Sequence, residues 1–168
     1  SDTTADQYYT WVVADTPTQT RQLWNDPAPP QHHIAAMLPI EWGANMRVGV
    51  DDDTRIAYVT SGGDSKVRVI GGNAITNTVD TFQRPANLAV DAGRHAVWFT
   101  QLGENKAFAL DGQTVSSVQF GPRGQSGQVA ADALAVHTVD RAVYVTHHGN
   151  SSLAIIDADT RTVRRSEE

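Results

Sequence analysis

Three stretches of this 168-residue chain line up almost column for column: IAYVTSGGDSKVRVI from Ile56, AVWFTQLGENKAFAL from Ala96 and AVYVTHHGNSSLAII from Ala142. A unit recurring every roughly 40–50 residues marks a stacked or radial array, in which no unit buries its apolar faces alone. The anchors are Thr60, Thr100 and Thr146, each closing a short apolar run. Before each run stands another, MRVGV at Met46, NLAV at Asn87 and ALAV at Ala133, joined to it by a polar turn such as Asp51-Asp52-Asp53-Thr54-Arg55. After each Thr come a glycine-containing turn, a third run (KVRVI, KAFAL, SLAII) and a fourth (ITNTV, QTVSSV, RTVRR). The pattern predicts four strands per unit.

The four strands differ in polarity, and that gradient sets the architecture. The second is apolar with little alternation, as in a strand covered on both faces. The third strand alternates Val67 and Val69 with Lys66 and Arg68 in the first copy, the period of a half-exposed strand. The fourth interleaves Thr and Val with polar residues, which suits an outer edge. Apolar inner and polar outer strands at a fixed four-strand period predict an all-β fold of the β-propeller type, with four-stranded antiparallel blades packed face to face. Three full blades are expected over residues 46–168, at about 46–85, 86–131 and 132–168. Gly63, Gly103 and Gly149 share one column, and access to positive φ explains them as turn formers.

The copies resemble the YVTN-type β-propeller repeat, seen here as YVTS, WFTQ and YVTH, followed by an apolar strand and IDADTRTV. The middle copy is also similar to the Trp-Phe-Thr blades of virginiamycin B lyase-like propellers. The resemblance covers about Met46 to Arg165 and implies a fold shared by surface-layer proteins, binding scaffolds, lyases and lactonases. For a lyase of that type it implies a Glu after Trp-Phe-Thr and a His base on a neighbouring blade. Gln101 stands at the Glu position and no His matches the base, so no catalytic residue is carried over.

Residues 1–45 are expected to form a partial or irregular N-terminal blade. TWVVADTPTQTRQLW from Thr10 resembles the outer half of a blade, and NDPAPPQHH, with Pro27, Pro29 and Pro30, cannot form ladder hydrogen bonds and reads as a loop. AAMLPIEW at Ala35 reads as a short strand or turn. Because a ring needs at least about four blades, the ring is expected to be completed by oligomerisation or by the missing part of a larger propeller.

Composition narrows the partners. A net charge of −6 argues against nucleic acid, which requires clustered Lys and Arg to release counterions. No apolar run approaches the length of about 18 residues that a membrane-spanning helix requires. Zero cysteines exclude disulfides and thiolate metal sites. Ser1 is read as a processing site or boundary, with any export signal removed, and the location as extracytoplasmic: secreted, periplasmic or cell-surface.

In a propeller the loops joining strand two to strand three share one face with the blade-to-blade connections. The first set supplies Asp64, Gln101, Glu104, Asn105, His147, His148 and Asn150, and the second Arg84 and Arg123. These nine are the expected ligand contacts. His147 and His148 beside carboxylates admit a divalent metal or a general base. Adjacent histidines on a turn point differently, however, and no His matches their column in the other copies, so no metal ligand and no cofactor is assigned. His95 and His137 fall on the opposite face as surface residues, and Asp51-Asp52-Asp53 reads as a hairpin turn. The function expected is a non-enzymatic binding module presenting its loop face to a protein or glycan. The alternatives are a lyase or lactonase-type enzyme with a divalent metal on that face, and a self-assembling structural unit.

Overall fold

The computed structural model describes residues 9–11, 34–41, 43–81, 83–121, 131–147 and 151–167. None of them is helical, and they form one two-stranded and three four-stranded antiparallel sheets. β1 (Tyr9–Trp11) pairs with β2 (Met37–Pro39). The first full blade is β3 (Arg47–Asp51), β4 (Ile56–Ser61), β5 (Lys66–Gly71) and β6 (Ala74–Asp80). The second is β7 (Pro85–Asp91), β8 (Ala96–Gln101), β9 (Lys106–Asp111) and β10 (Thr114–Gln119). The third is β11 (Ala131–His137), β12 (Ala142–His147), β13 (Ser152–Asp157) and β14 (Thr162–Glu167). Within each blade the strands pair in sequence order, with β7 against β3 and β11 against β7 along the inner edge. The fold is that of propeller blades, as the repeat requires.

Turn chemistry explains why the chain reverses where it does. Asp51 Oδ1 accepts from the backbone N–H groups of Asp53 (3.1 Å) and Thr54 (3.4 Å), and Asp157 Oδ1 does the same for Asp159 (2.9 Å) and Thr160 (2.8 Å). A short carboxylate thereby satisfies turn donors that no strand pairs. The residue entering strand two is left-handed in all three blades, at Arg55 (φ 58°), His95 (φ 52°) and Arg141 (φ 54°). The β5–β6 and β9–β10 hairpins are two-residue turns led by Gly72 (φ 60°) and Gly112 (φ 58°), as type II′ geometry demands.

The glycine column behaves differently from its expectation. Gly103 is left-handed (φ 79°), but in the first blade Ser65 (φ 54°) takes that conformation instead of Gly63, and in the third Ser151 (φ 53°) does. Gly149 lies outside the described residues. Gly62 is sterically required: its N–H donates to the Ala44 carbonyl (3.1 Å), and a Cβ there would collide with that oxygen.

The core consists of layers between units. Tyr58, Val67, Val69, Val97, Phe99 and Leu110 fill the layer between the first and second blades, where the Phe99 and Phe108 rings stack 5.4 Å apart. Trp98, Ala107, Ala109, Val143, Val145, Ala154 and Ile156 fill the layer between the second and third. A third layer packs Ile40 and Leu38, at and beside β2, on Ala57, Val59 and Ile70 of the first blade. That cover corrects the reading of β5 as half-exposed. Arg68 lies opposite Val59 on the covered side, is only 8 % exposed, and pairs with Asp64.

The same columns show where the array is open. Tyr58 and Trp98 are buried by the blade that follows, whereas Tyr144, in their column, is only half-buried and Thr146 is exposed. At the other end Val48 (56 % exposed) and Val50 (52 %) lack the cover that Leu88 and Val90 receive from the preceding blade.

Candidate functional site

The upper face carries the β4–β5, β8–β9 and β12–β13 loops and the connections between blades, and most of the expected contact residues. Their side chains are largely committed to one another. Ser61, Gln101 and His147 occupy the position after the repeated Thr, and each reaches back to the preceding unit. Ser61 Oγ donates to the Glu41 carbonyl (2.8 Å), and Gln101 Nε2 donates to the Thr81 carbonyl. His147 Nε2 lies 2.8 Å from Asn105 Oδ1, and its imidazole meets the Phe120 ring edge-on at 5.7 Å. Gln101 (3 % exposed), Asn105 (8 %) and His147 (3 %) are buried, so this column latches one blade to the next. His147 belongs to β12 itself and not to the loop beyond it.

Two further residues are held by local ion pairs, Asp64 by Arg68 and Glu104 by Lys106 (3.1 Å). Arg84 is exposed, and its carbonyl accepts the Leu102 N–H at 2.9 Å. Leu102 is itself exposed at 36 %, a residue that sequence reasoning had not singled out. Leu102 and Arg84 are thus joined through the backbone, and both residues are exposed on the upper face. Arg123, His148 and Asn150 lie outside the described residues. Among the described residues no three His, Cys, Asp or Glu side chains gather closely enough to hold a metal ion.

The lower face, formed by the β3–β4, β7–β8 and β11–β12 hairpins and their outer counterparts, holds a charge network that sequence reasoning missed. Asp51, fully buried, accepts from His95 Nδ1 (2.8 Å), linking the first blade to the second. Burial pushes the Asp51 carboxyl up, but the hydrogen bonds from His95, Thr54 and Asp53 outweigh it and leave the group below the ordinary carboxylate range. Asp159 is lowered by Arg94 and then Arg141, and Arg94 is raised mainly by Asp159. Asp157 is lowered by the Thr160 N–H and by Arg164. His95 is more than a surface residue, because its partner is buried in the neighbouring blade. The signal was present in the sequence as an Asp closing strand one in two units, Asp51 and Asp91.

No protein-family model matches the chain, and no curated protein matches it in sequence. Solved structures match the fold. Hydrazine synthase of Kuenenia stuttgartiensis is similar over 77 % of this chain and 37 % of its own, with a TM-score of 0.61 and 12 % identity. The dihydro-heme d1 dehydrogenase NirN, in complex with DHE, is similar over 80 % of this chain and 30 % of its own (TM-score 0.62, 11 % identity). The periplasmic gluconolactonase PpgL of Pseudomonas aeruginosa is similar over 72 % and 40 % (TM-score 0.57, 17 % identity). The class defined is the β-propeller type. At these identities the likeness is one of fold, and the matched part spans less than half the length of each neighbour.

Proposed function

We propose that the chain is a non-enzymatic binding module that presents its upper, loop-rich face to a protein or glycan. The observation carrying this reading is the commitment of the polar side chains there. Gln101, Asn105, His147, Asp64 and Glu104 are engaged in holding loops and blades, while Arg84 and Leu102 stand exposed for contact. An apolar side chain beside a guanidinium on a rigid base suits a recognition surface, where Arg is enriched and preorganisation limits the entropic cost of binding. Residues 1–45 contribute a partial blade, and the blades that complete the ring come from more of the same chain or from a second copy. An extracytoplasmic location agrees with the periplasmic gluconolactonase among the structural neighbours. Among the described residues no helix is long and apolar enough to cross a membrane.

The test is a binding screen against glycan arrays and extracellular proteins, comparing the natural chain with an Arg84→Glu, Leu102→Asp variant. Saturable binding that the variant loses, with its circular dichroism unchanged, supports the module. A lactonase-type enzyme with a divalent metal on this face is the competing reading, and it shares its fold with the gluconolactonase neighbour. Stoichiometric metal binding together with lactone turnover would replace the module by that enzyme.

A further inference from the structure

The array ends in two unlike open faces, and each carries half of a junction that the chain builds twice. At both internal junctions one blade offers an aromatic side chain of strand two with apolar side chains of strand three, and the next blade lays two aliphatic side chains of strand one on them. At the first, Leu88 and Val90 pack with Tyr58, Val67 and Val69. At the second, Leu134 and Val136 pack with Trp98, Ala107 and Ala109. The third blade repeats the first half of this arrangement without the second. Tyr144, Leu153 and Ile155 hold the columns of Tyr58, Val67 and Val69 but are only half-buried, and Thr146 is exposed where Thr60 and Thr100 are fully buried.

The first blade has the second half without the first. Val48 and Val50 hold the columns of Leu88 and Val90, and both stand more than half exposed. β2 covers a different part of this face: Leu38 and Ile40 pack on Ala57, Val59 and Ile70, which belong to strands two and three. Met37 and Pro39 alternate with them along the chain and are exposed on the other side of β2. Four of the eight exposed large apolar residues among the described ones, Ile34, Met37, Val48 and Val50, lie at this end of the array. Apolar exposure gathered at one end marks an interaction surface, whereas scattered single residues do not.

Blades radiate from a common axis, so the gap between neighbours is narrow at the inner strands and wide at the outer ones. A two-stranded piece in the outer part therefore leaves room for another blade to meet Val48 and Val50 along the inner edge. The open face of the third blade has the matching relief. Opposite its strand-two aromatic lies a small residue, Ala135, in the column of Gly49 and Ala89. At the first junction that column is where Leu88 and Val90 press in, so close that a Cβ on Gly49 would collide with them.

We propose that two copies of this chain join head to tail, the third blade of each packing on the first blade of the other. Val48 and Val50 then cover Tyr144 of the partner subunit and Ala135 of the partner subunit. Such an interface is heterologous, and it closes around a two-fold axis when each copy uses both ends. Two copies supply six full blades, within the range of about four to eight that closed propellers hold, whereas three would supply nine. The inference rests on the ring completion proposed above, selects the second copy as its source, and does not involve Arg84 or Leu102.

Sedimentation velocity over a concentration series tests it. A species of twice 18.2 kDa is expected above a dissociation constant of about 10 μM or lower, with the single chain, and its open Tyr144, below it. Val48→Asp and Ala135→Asp, both at exposed positions, should each raise that constant about tenfold or more while circular dichroism is unchanged. The Arg84→Glu, Leu102→Asp variant should self-associate like the natural chain, which separates this inference from the upper-face reading. Because the chain has no cysteine, Val48→Cys and Ala135→Cys report the orientation. A short bismaleimide should link a mixture of the two variants and neither variant to itself. A chain that stays single throughout the series, a dimer indifferent to Val48→Asp, or Ala135→Cys linked to itself would overturn the proposal.

Discussion

Replacing His147 by Ala separates a latch from a ligand contact, because the two roles predict opposite patterns of stability and binding. The imidazole is 3 % exposed, makes a 2.8 Å hydrogen bond to Asn105 forty-two positions away, and meets Phe120 edge-on. A net hydrogen bond of this kind contributes about 1 kcal/mol, and the ring contact about 0.5–1.5 kcal/mol. Loss of the buried ring volume adds about 1–2 kcal/mol, so the expected total is about 3 kcal/mol. At about 2–4 °C per kcal/mol for a chain of this length, the melting temperature should fall by about 6–12 °C. Urea unfolding of the single variants His147→Ala and Asn105→Ala, and of the double variant, closes a thermodynamic cycle. A coupling of about 1 kcal/mol is expected. A loss below about 0.5 kcal/mol with no coupling would refute the latch and return His147 to the set of contact residues.

Two further outcomes follow from burial and charge. Tyr58→Ala should cost about 3 kcal/mol or more and Tyr144→Ala about half of that or less, measured by urea unfolding, because only Tyr58 is covered by a following blade. Equal costs would mean that the face of the third blade is already covered in solution. The Asp51 carboxyl is held below its ordinary value of 3.8, so its contribution is present in full above that value and is lost as pH falls through the lower value of the folded state. Stability measured from pH 6 down to pH 2 should therefore decline more shallowly in Asp51→Asn than in the natural chain. An identical slope would show that Asp51 is not the group responsible.

The order and pairing of the strands in the three blades were legible in the sequence because they are repeated and local. Each Thr column lies near the end of a strand whose neighbours along the chain are also its neighbours in the sheet, so spacing and hydrophobic pattern sufficed. The site was less legible for a physical reason visible at three residues. Ser61, Gln101 and His147 share a column but no chemistry, and their common role appears only when each is seen to reach the unit before it. His147 read as a variable loop residue because its side-chain partner Asn105 belongs to another blade. The burial of Arg68 was likewise invisible, since its cover comes from residues near Ile40, outside the repeat.

By itself, then, the sequence determined the strands and their order, since these depend on backbone pairing and side-chain alternation within one unit. Tertiary structure decided everything that lies between units. The latch column and the Asp51–His95 link each need two blades brought face to face, and packing, not local pattern, sets what meets there.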